Sequence, residues 1–329
     1  MLQITNQQIE NFKKFIDSHS FFYIIGHKEP DGDCIASCLG IADILRKNGK
    51  DFSLLNAGPF KRVEIKKYAN LFSSEMDFMT LQDIKKTGLI VCDCSEYHRL
   101  GEIENANFEE LDTFIIDHHK TSDCPKNATS IVDSSAPAAS LIVQQLYEKC
   151  LGELSKESAQ TLFFGTMTDT GFFRFLTAKD SDSIEQISRL VSAGANPRKT
   201  YDEMNSGKAF STRKLLGIML NRAQQYINGK LIVTYETMED TKKWGQEGRD
   251  SDLLYSSLLA IDKVEAVVFV RQETETNCTA GFRSKDKVDV SAIAAKFGGG
   301  GHKNASGLST DGRIETLIPA IVKEFARVM

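Results

Sequence analysis

The sequence predicts an α/β protein: a doubly wound, mostly parallel sheet joined by a helical linker to a smaller α/β domain. Three observations carry that expectation. Five short apolar runs alternate with helix-like stretches in the first half, a polar segment follows Gly194, and strand–helix alternation resumes beyond it. The boundaries drawn from this pattern are 1–193, a linker with a helix at 194–226, and 227–329.

The strand-like runs of the first part are FFYII (21–25), FSLL (52–55), GLIVC (88–92), TFII (113–116) and TSIV (129–132). Between the first two, CIASCLGIADILRKNGK places apolar residues at helical spacing and closes near a glycine. From Pro137 the pattern turns helical, through APAASLIVQQLYEKC, SKESAQTLFFGTMTDT and SDSIEQISRLVSAG. After Gly194, ANPRKTYDEMNSGKAF is polar and breaks the pattern, and STRKLLGIMLNRAQQYI is helical again. The last part reads as the strand KLIVTYE, a helix near DLLYSSLLAI, and the strands VEAVVFVRQ and CTAGFRSK. A short helix (SAIAAKF), a glycine run and the terminal helix IETLIPAIVKEFARVM complete it, with no internal repeat or low-complexity tract.

Composition narrows the function classes. With 41% hydrophobic and 26% charged residues over 329 positions, the chain matches an ordinary globular protein with room for two domains. No apolar run approaches bilayer length, and the opening MLQITNQQIENFKKFIDSHS lacks the basic-then-apolar order of a secretory signal. A cytoplasmic protein without membrane attachment is expected. The net charge of −5 argues against a broad basic surface tracking long duplex nucleic acid. Residues 208–329 nevertheless carry 18 Lys+Arg against 15 Asp+Glu, which leaves a net of −8 for residues 1–207. An acidic half that collects cations, beside a mildly basic half, suits a small anionic substrate. The seven cysteines are odd in number and form no CxxC pair, so they read as reduced, small hydrophobes.

The chemistry collects at strand ends. FFYII runs into His27, Asp31 and Asp33; GLIVC runs into Asp93; TFII runs into Asp117, His118 and His119. Asp169 follows the apolar LFFG within TMTDTGFFRF. In open α/β sheets ligands bind beyond the carboxyl ends of the strands, so these groups are expected to converge. Each has a bland explanation: Asp31 and Asp33 as turn residues, an Asp after a strand such as Asp93 as a helix cap, either histidine as a hydrogen-bonded, half-buried side chain, and Asp169 as a helix-terminal charge. All four explanations holding together requires each strand end to have gathered its acids and histidines independently. A calcium EF-hand loop counted from Asp31 needs glycine and glutamate where Ala36 and Ala42 stand. Carboxylates with two imidazoles suit Mn²⁺, and Mg²⁺ less well, and two ions sharing one aspartate neutralise so many acids better than one.

HKEPDGD, VCDCSEYHRLG, IIDHHKT and MTDTGFFRF, in that order, resemble the four motifs of the DHH phosphoesterase superfamily over roughly residues 21–175. The resemblance implies His27, Asp31 and Asp93 on one Mn²⁺, and Asp33, Asp93, His118 and Asp169 on the other, with Asp93 as the bridge. It also implies His119 facing the phosphate and Asp117 orienting the histidine pair. Hydrolysis by a metal-bridging hydroxide is implied too, with Arg174 and Arg99 as further charge stabilisers.

The carboxyl half has its own signature. GGGGHKNASG (298–307) follows a helix and precedes a strand, so it is not a dinucleotide fingerprint, and a flexible linker is the bland alternative. Backbone N–H groups of Gly298, Gly299, Gly300 and Gly301 can form an anion nest, with His302 adding a donor and Asn304 close behind. Together with FRSKDKVDVSAIAAKF before it, this stretch resembles the DHHA1 domain of the same superfamily, which implies nucleotide binding and makes Arg283 the leading phosphate or base contact.

The layout resembles the bifunctional oligoribonuclease (nanoRNase)/pAp phosphatase group. That implies short single-stranded oligonucleotides and nucleotide bisphosphates as substrates, 3′–5′ exoribonuclease-class hydrolysis and no membrane; a homodimer is compatible with it. The leading alternative is a cyclic or linear dinucleotide phosphodiesterase. An inorganic pyrophosphatase fits less well because of the GGGGH run, and a RecJ-like single-strand exonuclease because it needs a more basic surface. A non-catalytic nucleotide-binding protein fits poorly, because every matched ligand position is intact.

Overall fold

The computed structural model describes residues 4–77, 80–120, 124–125, 128–285 and 287–329, so Thr121 of the IIDHHKT run and Asp286 of FRSKDK lie outside the described residues. The chain divides into two compact units, 1–207 and 208–329.

In the first unit, α1 (Asn6–Ser18) starts at a Thr5/Gln8 capping box. β1 (Phe21–Gly26), α2 (Gly32–Lys47) and β2 (Asp51–Leu55) follow as the sequence predicts. A one-turn helix α3 (Leu81–Ile84) precedes β3 (Thr87–Cys92), β4 (Asp112–Asp117) and β5 (Thr129–Val132). Helices α4 (Ala139–Leu151), α5 (Lys156–Asp169), α6 (Ser181–Ser192) and α7 (Pro197–Asn205) complete the unit. The five strands pair in the order β2-β1-β3-β4-β5, all parallel. Side chains alternate between two cores, as the pleat requires. Phe22, Ile24, Ile90, Cys92, Phe114 and Ile116 pack against the long helices. Tyr23, Ile25, Leu89, Val91 and Ile115 face a layer of short turns around Met76, Leu100 and Ile103. The strand order reverses between β1 and β3, which opens a crevice beyond their carboxyl ends.

The second unit holds α8 (Phe210–Arg222), β6 (Gln224–Tyr226), β7 (Leu231–Glu236), α9 (Met238–Trp244) and α10 (Ser251–Leu259). It continues through β8 (Ala266–Gln272), β9 (Asn277–Ser284), α11 (Val290–Ala295), β10 (Gly300–His302), β11 (Ala305–Asp311) and α12 (Ile314–Phe325). Its sheet runs β10-β11-β9-β8-β7-β6, with β7 and β8 parallel and the other pairs antiparallel.

Two stretches differ from expectation. The polar segment after Gly194 is the helix α7, because Asn196 caps it through the Lys199 N–H and Pro197 occupies the first helical position, where its missing N–H costs nothing. The 194–226 stretch is therefore two helices and an edge strand, and the division between units falls inside it, at 207/208. The glycine run is partly a strand. A Cβ on Gly299 would meet the Gly307 carbonyl at 2.3 Å, and one on Gly301 would meet the Ala305 carbonyl at 2.7 Å. These two glycines let the run pack closely against β11, and the Gly298 and Gly299 N–H groups donate to the Ala295 and Ala294 carbonyls (3.1 and 2.9 Å), so the four do not form one continuous nest.

Candidate metal centre

The centre is built at the strand-order reversal. His27 follows β1, and its Nδ1–H donates to the Lys28 carbonyl (2.9 Å), which leaves Nε2 free as a ligand. Asp31 caps α2: its Oδ1 accepts from the backbone N–H groups of Asp33 and Cys34, both at 3.1 Å. The bland cap explanation is thus true of Asp31, and that same oxygen lies 3.9 Å from His27 Nε2. Asp93 follows β3 with φ +58, a left-handed backbone that Asp tolerates better than most residues and that marks local strain. Its Oδ2 is 3.5 Å from His27 Nε2 and its Oδ1 is 3.3 Å from His118 Nε2.

His118 repeats the arrangement of His27. Nδ1–H donates to the Ala136 carbonyl (3.1 Å), while Nε2 faces Asp93, Asp169 (3.3 Å) and Asp33 (3.9 Å). His119 donates from Nδ1 to Asp117 Oδ1 at 2.7 Å. Asp117 also accepts from the backbone N–H groups of His118 and His119 and from the Ser95 hydroxyl, so it is tied down on every side. Sequence reasoning missed Ser95; its only signal is a small hydroxyl two residues after Asp93.

Asp33 is fully buried and solves a problem elsewhere in the chain. Helix α4 begins at Ala138, which has no capping side chain. Asp33 caps it from 106 residues away, accepting from Ala139 N–H (2.6 Å) and Ser140 N–H (2.9 Å). Glycine makes this possible: a Cβ on Gly165 would lie 2.5 Å from Ala36 and 3.2 Å from Asp33 Oδ1, so α2 and α5 can close up and carry Asp33 and Asp169 to one place.

The electrostatics of the ion-free centre are those of a cation site. Burial pushes Asp33 well up, and the Asp93 and Asp169 charges add to it. Asp31 rises for the same reasons. Burial alone would lower His27 and raise Asp93, but pairing with the imidazoles of His118 and His27 holds Asp93 down, and the Asp93 carboxylate holds His27 up. His27 is lifted to about 10, and Asp93 falls below the usual carboxylate range. His118 is lifted to about 12 by Asp169 and Asp93 in the same way, against burial. Protons on the imidazoles thus stand where cations fit. Asp93 Oδ1, buried, accepts no hydrogen bond among the described residues, which fits an oxygen that binds a cation. Asp33, His118 and Asp169 offer ligand atoms within 4.8 Å of one another, and so do His27, Cys34 and Asp93, and Asp93, His118 and His119. The donor set fits divalent metal binding, and Asp93 belongs to two of the three groups. Cys34, expected only as a small hydrophobe, belongs to one of these groups.

The structure brings together His27, Asp31, Asp33, Asp93, Asp117, His118, His119 and Asp169 from the sequence-predicted set. It does not join Arg99 or Arg174 to them: among the described residues neither guanidinium forms an ion pair or hydrogen bond with these groups. Arg99 supplies its backbone carbonyl to Lys28 N–H (2.8 Å), and Arg174 lies exposed over the Phe175 ring, 4.8 Å from its centre. In the second unit, Arg283 stacks on Tyr255 (4.8 Å) and donates to the Phe282 carbonyl. The Asn304 side chain donates to the Ser284 and Lys285 carbonyls (3.3 and 2.9 Å), which ties the β10–β11 turn to β9, and His302 is exposed.

Residues 21–166 match the DHH family, N-terminal domain, and residues 228–329 match the DHHA1 domain. The chain therefore belongs to the DHH phosphoesterases that carry a DHHA1 domain, a class of metal-dependent hydrolases. Among its relatives is the bifunctional oligoribonuclease and PAP phosphatase NrnA of Thermus thermophilus, 28% identical over 93% of this chain and 90% of that protein. The manganese-dependent inorganic pyrophosphatase of Methanothrix thermoacetophila is 28% identical over 57% of this chain and 59% of its own length. An exopolyphosphatase-related protein from Bacteroides fragilis shares the fold, with a TM-score of 0.78, 23% identity and 99% of this chain and 98% of that one covered. Among the described residues no helix is long and apolar enough to cross a membrane.

Proposed function

We propose that the protein hydrolyses short oligoribonucleotides to mononucleotides and removes phosphate from adenosine 3′,5′-bisphosphate (pAp), using two Mn²⁺ ions. The observation that carries this is Asp93, whose two oxygens each face a different histidine and donor group. Its support on the substrate side is the likeness to the Thermus thermophilus oligoribonuclease and PAP phosphatase along nearly the whole of both chains. The manganese dependence named for the Methanothrix pyrophosphatase supports the choice of ion.

His27, Asp31 and Asp93 would hold one ion, and Asp33, Asp93, His118 and Asp169 the other. Bound there, such ions supply an activated water for in-line attack on phosphorus and neutralise charge on the phosphate. The chain's own residues do the rest. Asp117 fixes the ring of His119 through Nδ1, and Nε2 would be the atom that meets a phosphate oxygen. Asp33 and Asp93, both buried, would close their side of the site to solvent. Arg283, His302 and Gly300 would grip the nucleotide, so that domain 1–193 would do the chemistry and 227–329 the recognition.

A substrate panel with added Mn²⁺ tests this: pAp, di- to pentanucleotides, cyclic di-AMP and pyrophosphate. Turnover of pAp and the short oligonucleotides is expected to lead. Faster hydrolysis of cyclic di-AMP or pyrophosphate would overturn the assignment.

A further inference from the structure

We infer that Cys34 is a thiolate ligand of the ion held by His27 and Asp93, which makes that half of the centre thiophilic while the Asp33/His118/Asp169 half stays an oxygen–nitrogen site. This rests on the two-ion reading above and goes beyond it, because a carboxylate–imidazole pair of sites has no preference for soft ions.

The geometry singles out this cysteine. The ligand atoms of His27, Cys34 and Asp93 lie within 4.8 Å of one another. Around a single ion with sulfur at ~2.3 Å and nitrogen or oxygen at ~2.0–2.1 Å, tetrahedral ligand atoms sit roughly 3.5 Å apart. A contraction of about 1 Å therefore converts the trio into a coordination set, which is within the reach of one side-chain rotation on each residue. Asp31 Oδ1, the other nearby donor, is engaged by the Asp33 and Cys34 N–H groups as the cap of α2. The sulfur, buried, is held against the end of β1: a Cβ on Gly26 would fall 2.2 Å from Cys34 Sγ. Only glycine at position 26 leaves room for a sulfur there. On loading, the S–H bond gives its proton to solvent and the sulfur lone pair forms the bond to the ion.

The neighbouring thiols do not share this position. Cys38 and Cys92 are as buried as Cys34, but neither joins a group of ligand atoms among the described residues. They serve as controls.

The full-length protein is stripped with a chelator, reloaded with Co²⁺, and its cobalt content measured by mass spectrometry alongside its absorption spectrum. A near-ultraviolet sulfur-to-cobalt charge-transfer band is expected in the wild type and in Cys38→Ala, and is expected to be lost in Cys34→Ser and Cys34→Ala. Competition of Cd²⁺ against Mn²⁺ should show the wild-type preference for Cd²⁺ falling about tenfold or more in Cys34→Ser. Cys34→Ser keeps the size of the side chain, so a folding failure of Cys34→Ala leaves the test intact. Cobalt bound in the wild type without the band, or a band that survives in Cys34→Ser, overturns the thiolate assignment and leaves the two-ion reading standing. No cobalt or manganese bound at all overturns both.

Discussion

Replacing Asp93 with asparagine separates the two tasks of this side chain. Asn keeps the shape and, like Asp, tolerates the left-handed backbone at φ +58, whereas Ala there adds about 1–2 kcal/mol of backbone strain to whatever else is measured. In the ion-free protein the variant loses the pairing with His27 and His118, but it also relieves the repulsion that raises Asp31 and Asp33. These effects oppose, so melting in the presence of chelator should move by no more than about 4 °C, equivalent to about 1 kcal/mol for a unit of this size. Ion binding is another matter. Removing one partner from a buried charge pair costs ~3–5 kcal/mol, or roughly 10²–10⁴ in affinity, and Asp93 faces both donor groups. At a Mn²⁺ concentration ~100 times the wild-type Kd, the wild type gains ~2.7 kcal/mol per ion. With affinity down 100-fold or more, the variant gains less than about 0.4 kcal/mol. Thermal melts with and without Mn²⁺, ion content by mass spectrometry, and initial rates on pAp measure all three quantities. A variant that binds two ions with wild-type affinity and turns over normally refutes the placement of Asp93 as the shared ligand.

Metal loading should release protons. His27 and His118 hold protons up to about 10 and about 12 in the ion-free protein, and ions require neutral imidazoles. Apparent Mn²⁺ affinity should therefore climb as pH rises from 6 toward 9, and calorimetry in buffers of different ionisation enthalpy should count the released protons; affinity independent of pH contradicts the ligand roles. By the same shifts, the histidine pairing stabilises the ion-free fold fully below about pH 6.5 and loses that contribution as pH rises through the folded values, which chelator-treated melts across this range would register. Short substrates should be cut faster than long ones, given the net charge of −5, and initial rates on a dinucleotide and a 24-mer at equal concentration decide this, with a faster 24-mer pointing to the RecJ-like alternative. Arg283→Ala and His302→Ala should each lower kcat/KM on pAp and dinucleotides by roughly 10- to 150-fold, the worth of a charged hydrogen bond, while hydrolysis of bis(p-nitrophenyl) phosphate changes much less. Equal losses on both substrates, with circular dichroism unchanged, would place those residues in the chemistry instead.

Much of the centre was legible in the chain. Apolar runs of strand length ending in His27, Asp93 and His118 announce ligands at the carboxyl edge of a parallel sheet, because strand period and edge position are local properties of sequence. The alternation of those runs with helical stretches likewise named five parallel strands before their order was known. What stayed hidden depends on neighbours distant in the chain. No local pattern shows that Asp33 caps a helix beginning 106 residues later, or that Gly165 lets α2 and α5 close so that Asp169 meets His118. Cys34 looked like one more apolar position in α2 until the end of β1 was packed beside it. The glycines at 299 and 301 read as an open nest because a run of glycine says only that side chains are absent, and it is the approach of β11 that fills the space. Arg174 has a suitable charge and follows Asp169 closely in sequence, yet its guanidinium lies over the Phe175 ring. Periodicity and residue chemistry are written along one dimension, so they name the donors and the edge where they stand. Which oxygen caps a helix, which faces an ion and which sulfur sits behind it are set by packing contacts between segments that the chain itself keeps far apart.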